Sequence, residues 1–256
     1  MRGLKGKRII VAGGATGIGA ATAQRLAEEG AQVLVGDINM PALEATIATI
    51  TGAGGIACGV HFDLADSASA QRMVQACIDT YGGVDGLANI GALLNHPAVK
   101  DNIDLLQTPE EYWHILLDRN LIGYTRTIRA VLPHLIKQRS GSIVNTSSAD
   151  AYSGQPVRAT YAAAKAAVHA VTRHVARRWG PDNIRCNAIA PGLVLSKAVA
   201  GGMSEAQKQQ LISMTPLGRA GSPADLAAAY AFLLSDDALW ITGQVWALNG
   251  GRFMRE

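Results

Sequence analysis

Residues 8–37 read RIIVAGGATGIGAATAQRLAEEGAQVLVGD, and their order decides the fold. Positions 8–12 form a short apolar run, 13–19 a glycine-rich turn, and 20–29 a helical stretch stopped by Gly30. A second apolar run, 32–36, ends at Asp37. Strand, turn, helix and strand make a βαβ unit, whose parallel strands are buried on both faces and therefore read as continuous apolar runs. Gly13, Gly17 and Gly19 stand where a backbone must come close to a pyrophosphate held at the N-terminus of the following helix. Asp37 follows the turn by about 20 residues, where an acid accepts hydrogen bonds from adenosine ribose hydroxyls. A carboxylate there repels a 2′-phosphate, and neither Thr16 nor Ile38 nor Asn39 supplies a compensating cation. The expected cofactor is NAD rather than NADP.

The alternation continues along the chain. Helices are expected over 41–51, 67–81 (capped by Ser67) and 108–138, the last with Thr108 as cap and Pro109 in its first turn. Strands are expected over 55–62, 84–89, 184–190 and 244–248, and a short helix over 223–234 capped by Ser222. No Pro/Ser-rich linker interrupts the pattern. The expected architecture is α/β, a doubly wound parallel sheet with helices on both faces, as one domain over 1–256. Ligands of such sheets bind beyond the carboxyl ends of the strands. The glycine turn, Asp37, Asp63, Asn89, Ser148 and Pro191-Gly192 all fall at such ends.

The chemistry is expected in residues 142–165, SIVNTSSADAYSGQPVRATYAAAK. A strand carries Asn145, Thr146, Ser147 and Ser148 at its end, and an Ala-rich helix carries Tyr161 and Lys165. Residues four apart share a helix face, so the Lys165 ammonium can sit beside the Tyr161 phenol. An opposite charge that close favours the phenolate and lowers a pKa that is otherwise about 10. Tyr161 is then a proton carrier, and Ser148 a hydrogen-bonding partner for a substrate oxygen.

Composition narrows the partners. The 256 residues carry a net charge of +3 with no basic arm or stripe, which argues against nucleic acid. Apolar runs are short, so no membrane span is expected. The N-terminal residues lack a signal-peptide pattern, and Cys58, Cys77 and Cys186 have no metal or disulfide spacing. A reducing cytoplasm fits these features, and no metal site is expected.

Taken together, the motifs resemble the short-chain dehydrogenase/reductase family in its single-domain subtype. They are Gly13-x-x-x-Gly17-x-Gly19, Ala88-Asn89-Ile90-Gly91, Asn120-Leu121-Ile122-Gly123, Ser148, Tyr161-x-x-x-Lys165, and the run 184–192, IRCNAIAPG. The resemblance selects Ser148 over Ser147, because the family places its serine thirteen residues before the tyrosine. It implies Tyr161 as general acid/base and Lys165 as the group that lowers its pKa and holds the nicotinamide ribose. Ser148 would hold the substrate oxygen, and Asn120 a water connecting Lys165 to solvent. Around the cofactor it implies Gly13, Thr16, Gly17, Ile18, Gly19, Asp37 and Ile38. It adds Asp63 and Leu64 at the adenine, Asn89, Ile90 and Gly91, then Thr146, Pro191, Gly192, Val194 and Ser196. Ala12, Ile90 and Ser196 depart from common family residues without removing a reacting group.

The resemblance implies interconversion of a secondary alcohol and its ketone by hydride transfer, in a homotetramer. His96, Asp150, Tyr152, Gln155 and Leu193 are candidate substrate contacts. Residues 193–221 are expected to form a lid, with Gly201-Gly202 as a hinge. His169 and His174 are expected at the surface or at a subunit contact. The rival readings are an NADPH-dependent 3-oxoacyl thioester reductase and a regulator that binds NAD without chemistry.

Overall fold

The computed structural model describes residues 1–100, 103–196, 201 and 203–254. Its centre is one sheet of seven parallel strands in the order β3-β2-β1-β4-β5-β6-β7. The strands are β1 Arg8–Ala12, β2 Gln32–Asp37, β3 Ile56–His61, β4 Gly86–Asn89, β5 Gly141–Thr146, β6 Ile184–Pro191 and β7 Val245–Leu248. Every residue of β4 and β6 is buried, as two-sided coverage requires of central parallel strands. Edge strand β3 alternates between half-buried and exposed.

Successive side chains on a strand point to opposite faces, so each run of apolar residues supplies two cores. Ile9 and Val11 of β1 pack on one face with α1 (Gly17–Glu28), α2 (Met40–Gly52) and the late helix α10 (Pro223–Leu234). Ile10 and Ala12 pack on the other face with α3 (Ser67–Tyr81), α6 (Gly123–Gln138) and α8 (Ala159–Trp179). Chain order reverses between β1 and β4, which opens a crevice beyond their carboxyl ends.

Several local expectations change. The helix expected over 108–138 is α5 (Glu110–Leu117), a widened π-helical turn (Asp118–Ile122) and α6. Pro109, not Thr108, is the residue before its first turn, and the Thr108 hydroxyl instead donates to the Asp104 carbonyl. Asp66, not Ser67, caps α3 by accepting the Ala68 N–H. Short helices α4 (Pro97–Lys100) and α7 (Asp150–Ser153) lie outside the expected helices, and α9 (Glu205–Ser213) lies within the expected lid segment. Of the expected lid, residues 197–200 and Gly202 lie outside the described residues. No helix among the described residues is long and apolar enough to cross a membrane.

Candidate active site

The crevice is built first from backbone. Gly13 leaves β1 with φ +88, and a Cβ on it would lie 2.1 Å from the Gly91 Cα at the end of β4. A Cβ on Gly19 would lie 1.9 Å from the Gly13 carbonyl oxygen. The two strand ends and the start of α1 therefore touch through glycines, and any side chain would fill the space between them. Thr16 precedes α1 in extended conformation and makes no side-chain cap, so the first-turn N–H groups keep their donors for an outside acceptor. A narrow glycine-lined channel ending on uncapped helix N–H groups fits a pyrophosphate.

Asp37 closes one end. Its two oxygens accept the Ala15 N–H and the Asn39 N–H, both at 2.9 Å, which ties β2 to the glycine turn. Each oxygen keeps a lone pair for a sugar hydroxyl. Ile38 beside it is 62 % exposed, a flat apolar surface at the rim. Asp63 accepts the Ala65 N–H at 2.8 Å, and Leu64 lies over Gly91 and Gly123. Ile18 and Ile90 pack against the core below the crevice. From the other side, β6 ends at Pro191, and the Gly192 N–H donates to the Leu248 carbonyl at 2.9 Å. Val194 bridges to Gly221, and the Ser196 Cβ lies 3.4 Å from where a Cβ on Gly17 would stand. The chain after β6 thus reaches back to the glycine turn.

Beyond β5 the side chains take over. Ser147 is buried, its hydroxyl 3.0 Å from the Lys165 carbonyl and 2.6 Å from His169 Nε2. Ser148 is only half-buried, its hydroxyl accepts the Asp150 N–H at 3.2 Å, and it stands close enough to the Tyr161 phenol to act on its ionisation. The strand's alternation separates the two serines, and the open cleft receives Ser148. Burial pushes the Tyr161 phenol up to about 12; the Asp150 charge adds to the rise, while the Ser148 hydroxyl and the Arg158 charge oppose it. Lys165 is not among the groups that move it. Its Nζ lies 5.9 Å from the Tyr161 ring centre and donates instead to the Tyr124 hydroxyl at 3.2 Å and the Thr146 carbonyl at 2.9 Å. Burial draws the ammonium down to about 7. The helix face shared by Tyr161 and Lys165 is as expected, but the phenol is raised rather than lowered, because burial dominates and the Lys165 ammonium is directed elsewhere.

Other expected residues divide between cleft and interior. Asn120 sits in the π-helical turn, fully buried, and its amide accepts the Leu93 N–H at 2.9 Å. It fixes the loop after Gly91. The Asn89 amide is turned inward, bonded to Asn145 at 2.9 Å and Thr127 at 2.7 Å, so only its backbone borders the crevice. His96 stacks edge-on against Tyr112 at 4.7 Å near the mouth. Tyr152 turns toward Phe253 and His169. Gln155 and Leu193 are half-buried, and the Leu193 carbonyl accepts the Gly221 N–H. His169 is 7 % exposed rather than a surface residue.

The sequence reading missed Tyr124 and Arg158. The Arg158 guanidinium pairs with Asp150 at 3.4 Å, and its backbone, at φ 64, accepts a left-handed turn to start α8. Its spacing three residues before Tyr161 was the available signal, because one helical turn places both on the same side.

The sequence model of the family described as enoyl-(acyl carrier protein) reductase matches residues 13–252. A 3-oxoacyl-(acyl-carrier-protein) reductase FabG of Thermotoga maritima is 34 % identical over 248 residues, covering 97 % of this chain and 98 % of its own. An uncharacterised oxidoreductase of Methylorubrum extorquens is 35 % identical over 254 residues, 98 % of this chain and 99 % of its own. A 2,5-dichloro-2,5-cyclohexadiene-1,4-diol dehydrogenase LinX of Sphingobium indicum is 35 % identical over 248 residues, 97 % of this chain and 96 % of its own. With these matches spanning nearly the whole chain and the motif residues gathered at one rim of the sheet, the protein belongs to the short-chain dehydrogenase/reductase family of oxidoreductases.

Proposed function

We propose that the protein interconverts a secondary alcohol and its ketone with NAD(H), Tyr161 acting as general acid/base. The observation that carries this reading is half-buried Ser148 placed beside the Tyr161 phenol at the mouth of the glycine-built crevice, with Lys165 one helical turn away. The nicotinamide group supplies the hydride chemistry when bound. The chain's own residues orient the substrate and move the proton. Ser148 donates to the substrate oxygen and sets it beside the phenol. In ketone reduction Tyr161, neutral at physiological pH, gives its proton to that oxygen; in alcohol oxidation the phenolate takes it. Lys165 holds the ribose and supplies positive charge at the floor, and Asn120 keeps the Leu93 loop in place beside it. Gly13, Thr16, Gly17 and Gly19 hold the diphosphate, and Asp37 the adenosine ribose.

Asp37 supports NAD, since the described residues beside it offer no cation to a 2′-phosphate. The Asp150–Arg158 pair offers an acceptor and a donor next to the reacting oxygen, which suits a substrate with a second polar group. The relatives named for 3-oxoacyl reduction support a second reading, NADPH-dependent reduction of an acyl thioester. Turnover of an acyl thioester with NADH and NADPH, beside a panel of cyclic and aliphatic secondary alcohols with NAD and NADP, separates the two. A clear NADPH preference defeats the reading of Asp37. Tyr161→Phe is expected to bind dinucleotide with the wild-type Kd and to lose about a thousandfold in kcat; unchanged turnover refutes the role of the phenol. A regulator that binds without chemistry would show no turnover in either form. The half-buried stripe Ala162, Ala163, Ala166 and Ala167 on α8 supports close packing of a second copy, as in a homotetramer, which light scattering tests.

A further inference from the structure

Behind the Tyr161 phenol, two tyrosines outside the sequence motifs, Tyr124 and Tyr230, join motif residues Asn89, Thr146 and Lys165 in a polar cluster. Tyr124 comes from α6 and Tyr230 from α10, helices that cover opposite faces of the sheet; Tyr230 reaches the Thr146 side chain at the end of β5, and Tyr124 reaches the Lys165 ammonium that donates to the Thr146 carbonyl. The proton directions are forced. Thr146 Oγ1 lies 2.5 Å from the Asn89 carbonyl, which only accepts, so the threonine proton goes there. Tyr230, 2.5 Å from the same oxygen, must then donate to it. The Tyr124 hydroxyl faces the Lys165 ammonium at 3.2 Å, and because an ammonium only donates, the phenol oxygen is the acceptor.

Lys165 is fully buried, and its other acceptor among the described residues is the Thr146 carbonyl at 2.9 Å. The ammonium also lies over the Tyr124 ring, 4.6 Å from its centre, nearer than the 5.9 Å to the Tyr161 ring. We propose that Tyr124 is a positioning residue for Lys165: its hydroxyl, with the Thr146 carbonyl, seats and orients the ammonium at the floor of the cleft. The inference rests on the reading of Lys165 as part of the reaction centre.

A buried ammonium has lost its hydration, and each protein acceptor restores part of it. Deleting the Tyr124 oxygen therefore favours the neutral amine, and Lys165 loses its proton at lower pH. The other titratable groups around this end of α8 do not counter that shift. Burial keeps the Tyr161 and Tyr230 phenols and the Cys186 thiol of β6 neutral near physiological pH. Asp150 is paired with Arg158, and Asp118 with Arg119 and Arg126. His169 is bonded to Ser147 one turn further along the helix.

Tyr124→Phe removes one oxygen and keeps the ring. In cofactor-free protein with nitrogen-15-labelled lysine side chains, and the Lys165 signal assigned through Lys165→Met, its titration midpoint is expected to fall by about one pH unit, tenfold in the protonation equilibrium. The alkaline limb of kcat for alcohol oxidation should move by the same amount while KM for the alcohol stays within about twofold. Tyr230→Phe, which touches Thr146 but not Lys165, should leave the midpoint in place. An unchanged Lys165 midpoint in folded Tyr124→Phe overturns the proposal, as does an equal shift in Tyr230→Phe. If Tyr124→Phe does not fold, the wild type decides: a nuclear Overhauser contact between the Lys165 ammonium and the Tyr124 ring is expected, and its absence overturns the proposal. Wild-type protein without nicotinamide-dependent turnover would defeat the proposed function instead, and the cofactor-free titration would still stand.

Discussion

The two ends of the cleft are made of different materials. At β1 and β2 the walls are backbone: Gly13 against Gly91, Gly19 against the Gly13 carbonyl, and the uncapped start of α1. At β5 and α8 the walls are side chains, with Ser148 and Tyr161 at the mouth and Lys165, Tyr124 and Thr146 beneath them. Backbone N–H groups present the same donors whatever the sequence, so the first end needs only the absence of side chains. The second end needs particular atoms, and burial sets their protonation as strongly as their neighbours do. On the proposed function, the dinucleotide-binding end is broken by adding atoms, whereas the proton-handling end is broken by removing them.

Five changes would sharpen or break that contrast. Gly19→Val, whose Cβ alone would overlap the Gly13 carbonyl, should raise the dinucleotide Kd by about a hundredfold or abolish binding, measured by nicotinamide fluorescence. Retained binding would mean that the glycine channel is not the diphosphate site. Ser148→Ala should leave that Kd alone and lower kcat/KM by about a hundredfold, the loss of one oriented hydrogen bond to the reacting oxygen. Ser147→Ala, at the buried serine, should cost stability rather than rate.

Asp37→Ser combined with Asn39→Arg exchanges a repelling charge for an attracting one. It should shift the NAD to NADP preference by tenfold or more, on the order of 1.4 kcal/mol. The pH response tests the proton-handling end. With the phenol held at about 12, its ionised fraction grows tenfold per unit below that value, so alcohol oxidation should rise from pH 5 to 7 while ketone reduction does not, and should stop rising where Lys165 loses its proton near 7. Oxidation that peaks below pH 7 would contradict burial as the dominant influence on Tyr161.

The smallest expected effect concerns stability. Lys165 titrates near 7 in the folded chain against 10.5 when free, so the folded state binds fewer protons between those values. Its contribution is greatest above pH 10.5 and is lost as pH falls through 7. Lys165→Met should therefore raise Tm at pH 7 by about 2 to 5 °C while eliminating turnover, and the gain should shrink toward pH 10. A lower Tm at pH 7 would show that the Tyr124 and Thr146 acceptors outweigh the desolvation of the charge.

Most of the fold was legible because parallel strands and amphipathic helices carry their environment in short-range patterns. The runs 8–12 and 32–36 became β1 and β2 within a residue, and Gly13, Asp37, Ser148 and Tyr161 fell at strand ends or on the helix facing them. Boundaries shifted where a neighbouring side chain did the capping, as Asp66 did for Ser67. The π-helical turn at Asn120 was not legible, since an extra residue in a turn leaves the apolar period nearly unchanged over so short a stretch. Asn89 and Asn145, read as strand-end polar residues, bond to each other beneath the cleft, a pairing set by the register of β4 against β5.

The alternation of strands and helices, the glycine channel, the acid at the end of β2 and the helical spacing of Tyr161 to Lys165 were determined by sequence, because each depends on residues close together in the chain. Only the tertiary structure decided where the Lys165 ammonium points, and that Tyr124, Tyr230 and Arg158 belong to the same neighbourhood. Those outcomes come from helices 20 to 80 residues apart being packed against one strand end. Solvent exclusion, which moves Tyr161 and Lys165 in opposite directions from their free values, exists only once that packing is complete.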